Sequence, residues 1–513
     1  MSDGTEYQSS GVASASFPAY FDRSSSTRLL CIVGLMFSWL CAITCIVVGS
    51  LAKGGSWTIE LYGEPAKDLI VLAQNIIITI CNESLGYIHS VSLRWALLRE
   101  GRLEFNSNLR LLNKSCSLGP NAWYSNLLMS CGIIVTYGSS SLTFLSYDTI
   151  HYPAATCDVY ELLGNSLIVL GSSLAVQSCI ATWTIWYWHD WPTWSSNVMD
   201  VAAACLCHEH HLLSYGPGRS IRGVGDSPGT VRPKFPSHRQ PSAFSCHKQI
   251  RCVLYALWAA VFLCCIWFAV LASCAGHGQW TSGLLRDPSY WSLFPDLDLP
   301  SAFILLIDCD SCEYHPAYKA DRFTARDFAW LIVLLCTLQS LVTFTLHVAE
   351  LLVNCCRDEH KWRLASRPKG GRRTSNALVA LLTSYQALTL FCLKPFAHWI
   401  YSLSFFVDII NGVSFFAPQI LYLIATIILL AGFATFLALR RYHGAQPVAF
   451  GHLQTLVDLI DVWPERDDRL CWGDKGTLQV QEDDAAQEDG HVVRRAGTDW
   501  KPLPPIDFDK MYL

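Results

Sequence analysis

The chain has 513 residues, of which 51% are hydrophobic and only 15% charged, and its formal net charge is −5. A soluble chain of this length would carry about a quarter charged residues, so a string of ordinary soluble domains is excluded. The small net charge gives no reason to expect nucleic acid as a partner. The 22 cysteines fall mostly inside apolar segments (Cys31, Cys41, Cys45, Cys264, Cys265, Cys336). There a thiol behaves as a small hydrophobe, so a disulfide-rich secreted fold is not indicated.

Residues 1–28 are polar and read as a cytoplasmic tail. The first apolar run, Leu29–Ala52, is too long for a cleaved signal core and reads as a membrane span. Seven further runs follow, at Asp68–Ser92, Trp123–Tyr147, Leu162–Trp188, Cys252–Cys274, Phe328–Val353, Asn376–Leu393 and Phe415–Leu439. Backbone groups in lipid must be satisfied internally, so these are expected to be helices. The fold class is therefore all-α, a polytopic transmembrane bundle of about eight spans. The seventh run meets Lys394-Pro395 and continues apolar to Phe406. It reads either as one long tilted helix kinked at the proline or as a span followed by an interfacial segment.

Basic residues fill alternate gaps. Arg94, Arg99, Arg102, Arg110 and Lys114 follow the second span, and Arg357, Lys361, Arg363, Arg367, Lys369, Arg372 and Arg373 follow the sixth. The gap after the fourth is also basic, and Arg440-Arg441 follow the eighth, whereas the gap after the third has neither Lys nor Arg. The positive-inside rule places both termini in the cytoplasm. Residues 29–188 thus hold spans one to four and 252–441 hold spans five to eight. Residues 189–251, rich in Pro, Gly and Ser, read as a flexible cytoplasmic linker. Residues 442–513 form a polar tail with an acidic run, Glu482–Asp489. Near 452–463 the spacing of Leu453, Leu456, Val457, Ile460 and Trp463 predicts an amphipathic helix. Its acidic outer face favours docking on the basic loops over an anionic membrane.

The second span is chemically odd. Asn75, Thr79, Asn82, Gly86 and His89 recur at spacings of 4 and 3 and share one helix face, flanked by Gln74 and Glu83. Such a stripe should face the bundle. Glu83 reads as the one acid deep inside a span, where a carboxylate is protonated, paired or hydrated. Asn75, Thr79, Asn82, Glu83 and His89 are the candidate intramembrane polar pathway; the simpler reading of the stripe is helix–helix packing. His347 and Glu350 read as a snorkelling pair reaching Arg357, and Lys394 and His398 as interfacial.

The second and sixth spans end alike, with His89 and His347 each followed ten residues later by Arg-acid (Arg99-Glu100, Arg357-Asp358). Asn121-Ala122 and Asn376-Ala377 open the next spans. The pattern is that of a weak four-plus-four parallel repeat, known in transporters.

Other motifs carry less. Cys205-Leu-Cys207-His208-Glu209-His210-His211 matches no zinc-site spacing, and Gly223-Val-Gly225 has no strand before it. No metal site, cofactor motif or catalytic set is assigned. Cys157, Cys274, Cys309 and Cys312 fall on the expected outer side and are disulfide candidates, with three pairings open.

Ser92-Leu-Arg-Trp-Ala-Leu-Leu-Arg-Glu-Gly-Arg-Leu-Glu-Phe-Asn106, Trp194-Ser-Ser-Asn197, Gly451-His-Leu-Gln-Thr-Leu-Val-Asp-Leu-Ile-Asp461, Trp472-Gly-Asp-Lys-Gly476, Ala496-Gly-Thr498 and Pro502-Leu-Pro-Pro505 resemble a group of uncharacterised polytopic membrane proteins of filamentous fungi. The resemblance implies a fungal source and a multi-pass fold, and no activity. Function narrows to two main classes. One is a transporter or channel-like protein for a small solute or ion. The other is a membrane scaffold or sensor that offers its basic loops and tail to cytoplasmic proteins or anionic lipid. A membrane-embedded enzyme ranks third, and the lipid bilayer is a partner on any reading.

Overall fold

The computed structural model describes residues 24–54, 57–62, 65–152, 155–187, 189, 191–207, 220–226, 233–274, 291–295, 302–305, 325–371, 376–408, 412–463, 469–477 and 493–513. Among them, eight helices of at least 18 residues form the bundle: α1 (Ser25–Lys53), α2 (Ala66–Arg99), α3 (Trp123–Ser140), α4 (Gly164–Ile185), α7 (Lys248–Cys274), α8 (Ala325–Arg363), α10 (Tyr385–Leu403) and α11 (Ala417–Leu439). Short helices α5 (Val198–Cys207), α6 (Ala243–Cys246), α9 (Ala377–Leu382) and α12 (Leu453–Leu459) lie between and after them.

Six of these, α1, α2, α4, α7, α8 and α11, are long and apolar enough to cross a membrane. Their outer faces are apolar as lipid requires. On α1, Leu29, Val33, Met36, Leu40, Ile43 and Val47 are all at least half exposed and recur every three or four residues. The opposite face of α1 packs on α4 through small residues. A methyl on Gly49 would meet the Gly164 carbonyl oxygen at 2.7 Å, and one on Gly171 would meet that of Ala42 at 2.7 Å. Close approach of two backbones is how helices associate where no hydrophobic drive operates.

Several elements differ from the sequence expectation. The third apolar run is helical only to Ser140, and from Phe144 it continues as extended strand. The seventh run is α9, a break at Thr383-Ser384, and then α10 running unbroken through Pro395 to Leu403. Ser384 caps α10 by accepting from the Ala387 N–H. Short strands are present that the all-α reading left out. β1 (Thr58–Tyr62), β2 (Phe144–Tyr152) and β3 (Ala155–Leu162) form one antiparallel sheet in the order β1-β3-β2. β4 (Ala302–Leu305), β5 (Phe405–Asp408) and β6 (Gly412–Phe416) form another in the order β4-β6-β5. Both sheets lie at the bundle end opposite the Arg-rich loops, and Lys67 bridges them over the rings of Tyr160 and Phe406.

α2 and α8, of 34 and 39 residues, are about 51 and 58 Å long at 1.5 Å per residue. A hydrocarbon core is about 30 Å thick, so both project beyond it at the Arg-rich end. There they carry a polar layer. On α2, the Trp95 indole donates to the Thr193 carbonyl (2.9 Å), and Arg94 donates to the carbonyls of Asn106 (3.1 Å) and Ser195 (3.0 Å). On α8, Glu359 accepts the backbone N–H groups of Ala449 and Phe450, both at 2.9 Å. The stretch expected as a flexible linker is therefore folded at 191–207, where Val198, Val201 and Ala202 are fully buried. In the tail, Leu453, Leu456, Val457 and Ile460 of the amphipathic segment are buried and pack in part on α5. β7 (Cys471–Thr477) and β8 (Arg494–Asp499) form a hairpin closed by Tyr512, which is fully buried and pairs with Lys234. The acidic run at 482–489 lies outside the described residues.

Candidate functional site

The polar stripe of α2 packs toward α3 and the adjoining loop. Thr79 meets the Tyr137 hydroxyl at 2.9 Å, and the Asn75 side chain accepts from Ser140 at 3.3 Å. The His89 carbonyl accepts from the Asn121 amide at 3.2 Å. Asn75, Thr79, Asn82 and His89 are each at most 1% exposed and do not line the cavity that Glu83 faces. Tyr137 carries the contact onward, since the His398 ring stacks on it with centroids 3.4 Å apart.

Glu83 faces the other way. It lines a cavity of about 460 Å³ bounded by α1, α2, α8, α9, α10 and the loop after α2. The Lys394 ammonium bonds both Glu83 and Glu350, which come from three different helices. His347 Nδ1 lies 2.8 Å from Glu350 and 3.1 Å from the Arg110 guanidinium, and Arg110 Nε lies 3.5 Å from Glu350. Two carboxylates thus face one ammonium and one guanidinium, a neutral set when His347 is uncharged. Burial makes that balance necessary, because an unpaired charge in low dielectric is strongly unfavourable.

Three sequence expectations are corrected here. Lys394 is not interfacial but 2% exposed, and His398 is 1% exposed and bonded to Gln339. His347 and Glu350 do not reach Arg357; they turn to Lys394 and Arg110, while the nearest acid to Arg357 is Asp358 at 3.7 Å. Glu83 does not stand alone inside the bundle, since Glu350 shares its cation. The signal for Lys394 was present in the sequence as a lone charge in an apolar run. Ending the span at Leu393, before Lys394-Pro395, hid it, whereas the helix continues through Pro395 to Leu403.

Arg110 is placed by its loop. Glu100 gathers that loop by accepting from Ser115 (2.6 Å), the Cys116 N–H (2.7 Å) and Ser117 (N–H 2.9 Å, hydroxyl 2.8 Å). Partial burial raises the Glu100 carboxyl, but these donors outweigh it and hold the group down at about 2. The Arg110 guanidinium then reaches back over α2 at Gly86, where a methyl would sit 1.6 Å from it.

Oxygen and nitrogen atoms of Glu83, His347 and Glu350 lie within 4.8 Å of one another, a spacing that suits a metal ion. Lys394 already bonds both carboxylates, so a divalent ion would have to displace an ammonium beside a guanidinium. The donor set fits a resident lysine better than a metal. Around the cavity, Arg94 and Arg357 add two cations, so four basic groups face two carboxylates.

Of the disulfide candidates, Cys309 and Cys312 lie outside the described residues, as do the side chains of Cys157 and Cys274. Cys205, from the Cys-His tract, is fully buried in α5, where burial pushes its thiol up to about 12; His208–His211 are outside the described residues. No protein-family model, curated protein or solved structure matches the chain.

Proposed function

We propose that this chain is an eight-span membrane carrier that moves a small anionic solute through the cavity beside Glu83 and Lys394, coupled to protonation of Glu83. The observation that carries the reading is a lysine inside the bundle, held by carboxylates from two other helices at the wall of a cavity. Ionisable groups within spans are rare and mark solute or proton pathways. The Glu83 side chain is 34% exposed, against 3% for Lys394, so it is the member that cavity water reaches. Protonating Glu83 releases Lys394 to accept an anion in its place. The excess of basic groups around the cavity favours that charge, and its volume falls in the range of small-ligand sites.

On this reading α3 and α10 are the two further spans, both termini are cytoplasmic and the cavity opens to the cytoplasm. The architecture is a four-plus-four parallel repeat. Three parallels support it. Among the described residues each half runs helix, strand, two long helices, hairpin, helix, with the six-residue α9 added between the two long helices of the second half. The sheet orders β1-β3-β2 and β4-β6-β5 correspond strand for strand. The pairs α1–α4, α1–α2 and α3–α4 correspond to α7–α11, α7–α8 and α10–α11, and α3 crosses to α8 as α10 crosses to α2. Duplicated halves that meet around a central site are a transporter architecture. The scaffold reading has less support, because Arg94 and Arg110 turn inward and are 6% exposed each.

The test is proton and anion flux in proteoliposomes of the full chain with an entrapped pH-sensitive dye. An outward gradient of small organic anions should drive a pH change that Glu83→Gln abolishes. Identical traces for the wild type, Glu83→Gln and empty vesicles across a panel of mono- and dicarboxylates would sink the carrier reading.

A further inference from the structure

A second cavity, of about 270 Å³, lies in the polar layer between the end of α8, α9, the start of α5 and the segment after α12. Its lining includes Arg357, His360, Lys361 and Trp463, and no aspartate or glutamate among the described residues. Three of these side chains are donors only: guanidinium, ammonium and indole N–H carry no acceptor. Arg357 Nε, Lys361 Nζ and Trp463 Nε1 are each shielded from solvent, and none has a hydrogen-bond acceptor among the described residues. Buried donors are nearly always satisfied, so three orphaned ones around one hollow point to a missing acceptor. Asp358 accepts from the Asn106 amide at 2.7 Å and lies 3.7 Å from Arg357 Nη2, and Asp200 accepts from the Ser195 hydroxyl at 2.8 Å; neither accepts a hydrogen bond from Arg357 Nε or Lys361 Nζ.

We infer that this cavity binds a phosphate group, held by Lys361, Arg357 and Trp463. The ligand must be anionic, because two basic side chains face it, and rich in acceptors, because one turn of α8 supplies Arg357 and Lys361 while Trp463 approaches from the segment after α12. A tetrahedral oxyanion meets both demands and takes charge-assisted bonds from lysine and arginine together. Arg357 also lines the first cavity, so an occupied phosphate site would fix a residue at the edge of the proposed solute path. The same chemistry is offered by free phosphate and by a phosphorylated lipid headgroup at the membrane surface.

The experiment uses the purified full chain with two probes. One is radiolabelled inorganic phosphate in equilibrium dialysis against the detergent-solubilised protein. The other is thermal unfolding in nanodiscs of phosphatidylcholine with and without phosphatidylinositol 4-phosphate. Saturable phosphate binding supports a soluble source, and a rise in unfolding temperature confined to the phosphoinositide discs supports a lipid source. In either arm Lys361→Met should weaken binding by about tenfold or more, as expected for losing a charge-assisted bond. Trp463→Phe keeps the ring, removes the donor and should weaken binding by about threefold, which covers the case in which Lys361→Met does not fold. Absence of saturation in both arms overturns the inference, as does wild-type affinity in a folded Lys361→Met or Trp463→Phe protein. Neither residue lines the first cavity, so the result stands apart from that of the flux assay.

Discussion

The guanidinium of Arg110 lies against the bare α-carbon of Gly86, so close that a methyl there would sit 1.6 Å from Nη1. A residue from a loop thereby enters a cluster made otherwise by three helices. Only glycine leaves that path open, and Gly86→Ala should push Arg110 away from Glu350 and His347. The swap itself favours the helix by about 1 kcal/mol, so the unfolding temperature in detergent should change little while flux falls several-fold. A folded Gly86→Ala protein with full flux would show that Arg110 has no part in the pathway.

Lys394 offers a sharper energetic test. Lys394→Met leaves Glu83 and Glu350 facing each other with their shared cation gone. Removing one partner of a buried ion pair is strongly destabilising, by about 3–5 kcal/mol; the partial exposure of Glu83 places the expected loss at the lower end. Adding Glu83→Gln should restore part of it, because Glu350 keeps Arg110 and His347 and the second change removes the carboxylate that has lost its cation. Denaturant unfolding in micelles reads both. A single variant as stable as the wild type would show that the three groups are not coupled.

The α1–α4 seam should tolerate almost nothing at Gly49, where a side chain meets backbone of α4 at 2.7–2.9 Å. Gly49→Leu is expected to separate the helices and abolish folded expression, as judged by size-exclusion chromatography. Gly432 on α11 has nothing within 4 Å of its would-be Cβ, so Gly432→Ala should be neutral or stabilising by up to about 1 kcal/mol. Equal behaviour of the two would mean that the seam is not close-packed.

His247 lies beside α7 in the polar layer, 3% exposed, with its ring 3.9 Å from that of Phe105. Burial, aided by His452, pushes its pKa down to about 4. The folded value is below the unfolded one of about 6.5, so the unfolded chain binds the proton first. The stability His247 contributes is present above pH 6.5, declines as pH falls and is lost below about 4. His247→Phe should flatten the stability profile across that window by about 2–3 kcal/mol. Unfolding midpoints from pH 4 to 7 measure it, and parallel profiles for variant and wild type would refute it.

How much of this was legible in the sequence differs by element. The six apolar helices were, and so was Glu83 as an unusual residue, because both are properties of a single stretch of chain. Span ends were not, where α3 gives way to strand or where α10 runs through Pro395. The sheets were invisible for a related reason. Strands β1 and β4, of five and four residues, exist only through distant partners, as Thr58 pairs with Glu161 and Ala302 with Phe416.

The sequence by itself determined the solvent, the apolar helices and the charge asymmetry between their gaps, because transfer into lipid is decided residue by residue along a helix. Only the tertiary structure decided which faces meet. Lys394 and Glu83 are 311 residues apart, and no local pattern joins them. Their pairing depends on the rotation and tilt of three helices, which packing against neighbours sets. The same holds for Arg357, Lys361 and Trp463, whose shared cavity forms where α8 leaves the membrane and the tail folds back against it.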